Sequence, residues 1–507
     1  MAVSSKLILI VMITLVFVPV PSSQFQNHNH TKLELVHIDH ISSSTKFHNH
    51  SHRFLARIQR DIKRVAALTH LLSPAKSYEV ENLNTDLVSG YFLGITEYLV
   101  RVGIGSPPTF QYLAIDTGSD VIWVQCQPCN MCHKKADPVF NPATSASYTV
   151  VLCGSPACDA LLVNDRHCHA GKCGYEVNYF DGSYTKGTLM LETLTFGQTR
   201  ILNLAMGCGH NNHGPFNVIT GLLGLGGGRM SFINQIPETG GAFSYCLPSY
   251  SSLSPGWLTF GRGLGGALPV GAAWAPLVYN PRAPKFYYVG LSGLGVGGVR
   301  VPISEDIFRL TDSGYGGVII DIGTAVTTLP MVAYEALRDA FTAKTSGVRA
   351  PRVSIFDTCY NQSLPFQFPS ISFYFIGGPV LTLASHGFLI PVDGVEILCF
   401  AFAPSASGLT IIGNVQQTGI QISIDEARGY IGFGPNLRFV VNVLPSPRAV
   451  TVSIYVDVVV ASNCGRLRRR YRLLSASSQE FIASLRRLGQ AENAWLSLFP
   501  LTAPKSR

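Results

Sequence analysis

Ala114-Ile115-Asp116-Thr117-Gly118-Ser119 recurs 205 residues later as Ile319-Ile320-Asp321-Ile322-Gly323-Thr324. Each copy is followed by a second shared pattern, Gly221-Leu222-Leu223-Gly224-Leu225-Gly226 after the first and Leu409-Thr410-Ile411-Ile412-Gly413-Asn414 after the second. Two copies at a domain-sized separation predict two lobes related by a pseudo-twofold axis, with Asp116 and Asp321 meeting between them. Apolar-apolar-Asp-x-Gly-Ser/Thr sets a carboxylate just beyond a buried strand, in a turn that Gly permits because it lacks a Cβ. Ser119 and Thr324 are placed to donate their hydroxyls to the carboxylates and orient them. Two facing carboxyl groups share one proton, since like charges in contact do not both ionise. One oxygen then acts as base on a water while the acid partner donates to an amide carbonyl. Such hydrolysis requires no cofactor, no metal and no covalent intermediate.

Outward from these loops the chain reads as all-β, with few short helices. Tyr98-Leu99-Val100-Arg101-Val102-Gly103-Ile104-Gly105 alternates and is followed by the turn Ser106-Pro107-Pro108, and similar short runs with Gly or Pro breaks continue to about Phe433. The best helix of this stretch runs from Val332 to Thr342, after Pro330. Only 13% of the residues are charged and 49 are Gly, which suits a turn-rich β protein. The net charge of +8 carries no sign of nucleic-acid binding, because residues 438–507 hold eleven Lys/Arg against three Asp/Glu and account for all of it.

The N-terminus joins Lys6 to an apolar run, Leu7 to Val18, and then Pro21-Ser22-Ser23, the pattern of a secretory signal. The run is shorter than the roughly 20 residues a membrane span needs, so no stable membrane anchor is expected. Residues 24–95 hold one amphipathic helix, Arg53 to Leu72. Its apolar stripe is Leu55, Ile58, Ile62, Val65, Leu68 and Leu72, with Arg57, Arg60, Lys63 and Arg64 assigned to the opposite side. It reads as a propeptide whose cations cover an acidic cleft. Sequons at Asn29, Asn49 and Asn361 agree with passage through the secretory route. Twelve cysteines then read as disulfides of an oxidising compartment, although Cys126-x-x-Cys129-x-x-Cys132 beside His133 also has zinc-ligand spacing.

Taken in order, Asp116-Thr117-Gly118-Ser119-Asp120-Val121-Ile122-Trp123-Val124-Gln125-Cys126, the cysteine-rich stretch to Cys173, Tyr179-Phe180-Asp181-Gly182-Ser183, both Gly-flanked segments and Ile412-Gly413-Asn414-Val415-Gln416-Gln417 resemble the pepsin-like aspartic proteases. Within that family the likeness is to the plant nepenthesin-like branch, from about Glu97 to Asn436. The resemblance implies a bilobal β fold with a cleft for an extended peptide substrate, a monomer, and an aspartic endopeptidase made as a zymogen and active in acid. It implies Asp116 and Asp321 as the catalytic pair, supported by Thr117, Gly118, Ser119, Gly323 and Thr324. Tyr179 matches the flap tyrosine and Trp123 the residue whose indole N–H supports it. It further implies the disulfides Cys126–Cys129, Cys132–Cys208, Cys153–Cys173, Cys158–Cys168 and Cys359–Cys399. The expected organisation is a signal peptide over 1–23, a propeptide over 24–95, an N-terminal lobe over 96–270, a C-terminal lobe over 271–437 and an atypical basic extension over 438–507. Secretion to the apoplast or cell wall is expected, with vacuole or chloroplast as alternatives.

Three departures from the family pattern stand out. Ile322 replaces the hydroxyl residue whose side chain bonds across to the opposite loop, which would remove half of a brace between the two aspartates. Phe180 replaces the Gly that follows the flap tyrosine. Leu437-Arg438 stands where a final cysteine is expected, leaving Cys246 without that partner. On these grounds a catalytically weakened or inactive pepsin-fold protein acting as a binding protein or inhibitor is the alternative function.

Overall fold

A computed structural model describes residues 32–37 and 50–72, residues 98–434 apart from 134–136, 180–182, 198, 215–218, 249–254, 263–271, 363–366, 394–395 and 406, and strands 436–444, 453–461 and 467–473. Short strands dominate, as the Gly- and Pro-broken alternation predicts. Among the described residues two helices exceed two turns: α1, His50–Leu72, and a second at Met331–Lys344. The latter begins directly after Pro330, which has no N–H to lose there.

Strands Tyr98–Ile104 and Thr109–Asp116 form an antiparallel pair that carries the first Asp to the end of its strand. Gly317–Ile320 carries the second, between Tyr287–Val289 and Leu409–Ile412. A sheet built from both halves of the chain joins the lobes: Ala242–Cys246 pairs with Gly256–Phe260 on one side and with Gln421–Asp425 on the other, which in turn pairs with Tyr430–Gly434. One continuous apolar cluster runs through this sheet, including Phe243, Tyr245, Ile322, Ile412 and Ile422, all at most 2% exposed. Burial of this kind contributes about 25 cal/mol per Å² of apolar surface, which makes the lobe junction a stiff floor for the site above it.

The segment ahead of residue 97 holds a strand as well as the expected helix. Lys32–His37 pairs with Gly256–Phe260 through Leu33↔Leu258 and Leu35↔Gly256, and with Tyr98–Ile104 through Val36↔Leu99. Leu33 and Leu35 point inward at 6% and 0% exposure while Glu34 faces out, a period of two that marks a half-buried strand. At the other end, Asn436–Leu444, Ser453–Ala461 and Leu467–Leu473 form an antiparallel sheet that pairs only within itself among the described residues.

Candidate active site

Each Asp-bearing strand is held by a parallel neighbour. Gly221–Gly224 lies in register beside Leu113–Asp116, and Leu409–Ile412 beside Gly317–Ile320. The chain then passes so close behind each Asp turn that a Cβ at Gly224 or Gly413 would collide with the carbonyl of Asp120 or Ala325. This is why both echo segments carry a Gly at the same place.

Asp116 and Asp321, 1% and 0% exposed, meet at a single guanidinium. Arg64 Nη2 donates to Asp116 Oδ1 at 2.8 Å and to Asp321 Oδ1 at 2.9 Å, while its Nε donates to Asp321 Oδ2 at 2.8 Å. Gly118 and Gly323 leave the slot that the guanidinium fills, since a Cβ at either would strike it. Burial alone would lower the Arg64 pKa, but the two carboxylates outweigh it and hold it well above the ordinary arginine value. Charge-assisted bonds of this kind are about twice as strong as neutral ones.

The two carboxylates are supported differently. Thr324 Oγ1 donates to Asp321 Oδ2 at 2.6 Å and Gly323 N–H to Asp321 Oδ1 at 3.1 Å. Asp116 Oδ1 receives Gly118 N–H at 3.0 Å, but Asp116 Oδ2 and Ser119 Oγ are both buried without a partner among the described residues. The expectation that Ser119 orients Asp116 is therefore corrected: Arg64 and Gly118 both hold Oδ1 and leave Oδ2 unsupported. The brace survives by half. Ile322 N–H donates to Thr117 Oγ1 at 3.0 Å, while the Ile322 side chain is fully buried in the main core and offers Thr117 nothing in return.

On the N-terminal side of the cleft, Trp123 Nε1 donates to the Tyr179 hydroxyl at 2.6 Å. Tyr179 sits at the tip of the hairpin formed by Lys172–Asn178 and Tyr184–Phe196, whose turn is closed by Tyr179 N–H on the Ser183 carbonyl. Phe180 lies outside the described residues, as do Asn29 and Asn49. Asn361 is exposed at the end of a short strand.

Helix α1 lies along the C-terminal half of the cleft. Asp61 accepts the N–H groups of Ala325 and Val326 at 2.5 and 2.8 Å, and Arg57 Nη2 donates to Asn414 Oδ1 at 3.2 Å. Ile58 packs in the cluster of Ala325 and Val326, and Leu68 and Leu72 in that of Phe286, Tyr288, Ile319 and Leu409. The buried face is thus Ile58, Asp61, Arg64, Leu68 and Leu72, which corrects the assignment of Arg64 to the opposite side. Val65 and Ile62 are only partly buried. The missed signal was a charge pair: Asp61 and Arg64 are three apart, one turn on the same face as Ile58 and Leu68.

Five disulfides are described, and only Cys359–Cys399 joins as expected, across a ladder pair with Cα atoms 4.0 Å apart. The others are corrections. Cys126 bonds Cys208 because Trp123–Gln125 runs parallel to Thr199–His213 with Val124 opposite Cys208, leaving Cys129 to bond Cys132. In the insertion, buried Cys158 joins buried Cys173, and the more exposed Cys153 joins Cys168. These disulfides take up the three sulfurs of the Cys126–Cys132 run that has zinc-ligand spacing. Cys246, which lacks the final cysteine expected from the family, is also disulfide-bonded. Cys464 lies outside the described residues.

Comparison with known proteins bears on the whole of this arrangement. Residues 98–262 match the family model described as xylanase inhibitor N-terminal, and residues 286–435 the one described as xylanase inhibitor C-terminal. Protein ASPARTIC PROTEASE IN GUARD CELL 2 of Arabidopsis thaliana is 56% identical over 415 residues, 80% of this chain and 87% of that protein. The chain belongs to the plant nepenthesin-like aspartic proteases. Aspartic proteinase nepenthesin-2 of Nepenthes gracilis is 36% identical over 75% of this chain and 84% of its own length. The solved structures of EDGP and of basic 7S globulin from soybean, each 19% identical with a TM-score of 0.54, cover 66% of this chain and 91% and 92% of their own, and share its fold. This nepenthesin-like protease is accordingly an aspartic endopeptidase with a pepsin-like fold, acting on peptide substrates.

Proposed function

We propose that Asp116 and Asp321 are the catalytic pair of this endopeptidase, and that residues up to about 95 form a propeptide whose Arg64 plugs the pair until acid releases it. The observation that carries the reading is one guanidinium bonded to both carboxylates, in a slot kept open by Gly118 and Gly323. An occupant of that slot excludes a substrate carbonyl and the attacking water together. Once Arg64 leaves, two carboxyl groups in contact share a proton, one acting as general base on water and the other donating to the scissile carbonyl. The apolar run Leu7–Val18 and the disulfide-rich insertion support secretion, and we read the secreted protein as a monomer working in acid.

The test uses the full-length chain with a foreign protease site engineered between residues 73 and 97. Cut chain should degrade a generic protein substrate at about pH 4 in a pepstatin-sensitive manner, while uncut chain at pH 7 stays silent. Folded, cut chain with no pepstatin-sensitive activity would overturn the assignment.

A further inference from the structure

The peptide unit that follows Asp321 is held at both ends. Its N–H, on Ile322, donates to Thr117 Oγ1 of the opposite lobe at 3.0 Å. Its C=O, on Asp321, accepts from Gln417 Nε2 at 3.3 Å. Gln417 is itself fixed: Nε2 also donates to the Ile412 carbonyl at 2.8 Å, and Oε1 accepts the Tyr245 hydroxyl at 2.8 Å. Tyr245 stands in Ala242–Cys246, the strand of the lobe-joining sheet that pairs with Gln421–Asp425. The next carbonyl, on Ile322, accepts Asn414 Nδ2 at 2.9 Å.

Among the described residues the first lobe has no counterpart of this amide. Counting from Gly224 and Gly413, the position matching Gln417 is Gly228, and the Asp116 carbonyl is held instead by the backbone N–H of Leu225 at 2.8 Å. The side-chain amide therefore stands on the lobe whose loop lost its hydroxyl to Ile322. A buried amide with both ends bonded is a stiff part, because letting go of either end leaves an unpaired polar group in the core. Gln417 and Tyr245 are 1% and 0% exposed.

We propose that Gln417, held by Tyr245, is a positioning residue for Asp321 that supports from behind the loop whose cross-lobe brace Ile322 halves. The proposal rests on the assignment of Asp116 and Asp321 as the catalytic pair. It acts through the backbone: the amide sets the plane of the Asp321–Ile322 peptide and so the direction in which the carboxylate leaves the strand. Displacements of about 1 Å at such a group lower rates by up to about a hundredfold.

The experiment measures kcat, KM and the pH profile of the cut full-length protein for Gln417→Met, Tyr245→Phe and Ile322→Thr, singly and with Ile322→Thr added to each of the other two. Gln417→Met should lower kcat about tenfold, leave KM within about twofold and move a limb of the kcat–pH profile. Tyr245→Phe should do the same more weakly, and serves if Gln417→Met fails to fold. Adding Ile322→Thr, which gives Thr117 N–H an acceptor, should shrink both losses to about threefold or less. Equal losses with and without Ile322→Thr, an unchanged kcat, or a lowered melting temperature with an unmoved pH profile would each overturn the proposal. Asp321→Asn is measured alongside: an inactive variant leaves those outcomes to judge Gln417 alone, whereas an active one overturns the catalytic pair and this proposal with it.

Discussion

Arg64→Met in the full-length chain isolates the plug, because methionine keeps an unbranched, buried-compatible side chain and removes the charge. Arg64 makes three bonds of 2.8–2.9 Å to two carboxylates that are at most 1% exposed. Removing one partner of a buried ion pair costs about 3–5 kcal/mol, since the remaining charge has no substitute for water. Here the stranded groups relieve part of that by binding a shared proton, which favours the lower end, about 3 kcal/mol. At about 1.4 kcal/mol per decade, the equilibrium for lifting α1 off the cleft moves roughly 150-fold toward open. Native-state hydrogen exchange of the α1 amides at pH 7 reads this directly, as a protection factor lower by about two decades. Lys63→Met, on the exposed side of the same helix, is the control and should change protection by no more than about twofold. Protection in Arg64→Met that matches the control would refute the reasoning, because α1 would then be held by its apolar contacts, Asp61 and Arg57 without help from Arg64.

Three further outcomes follow from other parts of the structure. Burial pushes the Asp120 carboxyl up to about 6 and that of Glu426 up to about 7, from 3.8 and 4.5 when exposed, with Lys285 opposing the shift at Asp120 and Asn234 opposing it at Glu426. Both folded-state values are raised, so the folded protein holds protons that the unfolded chain has lost, and stability rises as pH falls from about 7.5 to about 4.5. Asp120→Asn, which still accepts Gly228 N–H, should raise the melting temperature by a few degrees at pH 7.5 and leave it unchanged near pH 4; a pH-independent change would contradict this. Trp123→Phe removes the indole donor to the Tyr179 hydroxyl and should lower kcat/KM by about tenfold, read with a peptide substrate; an unchanged value would separate that bond from catalysis. Peptide mapping under non-reducing conditions should recover Cys126–Cys208, Cys129–Cys132, Cys153–Cys168 and Cys158–Cys173, and recovery of Cys153–Cys173 would reject the observed pairing.

The Asp loops were legible because their constraint is local: a strand, a carboxylate and a Gly are adjacent in the chain, and the repeat announces the second copy. The meeting of Trp123 and Tyr179 came from the family resemblance, since each alone reads as a core aromatic. What periodicity misjudged was Arg64. A helical wheel ranks residues by hydropathy, so a cation buried against two carboxylates 52 and 257 residues away is assigned to the solvent side. Cysteine pairing was illegible for the same reason, being set by which strands lie side by side and not by spacing. Lys32–His37 did carry a visible alternation, but a six-residue polar-flanked strand is too short to stand out without its partner Gly256–Phe260. Ser119 shows a finer limit: its hydroxyl was placed on the right loop, yet which carboxylate oxygen is left unsupported depends on where Arg64 binds.

The catalytic pair is tested most directly in the cut full-length protein, assayed for cleavage of a protein substrate at about pH 4, with Asp116→Asn and Asp321→Asn measured separately against the unaltered protein. Each substitution keeps the side chain's shape and should lower the rate by at least about a thousandfold, with the melting temperature retained. Cleavage within about tenfold of the unaltered rate in either folded variant would contradict a catalytic pair at Asp116 and Asp321.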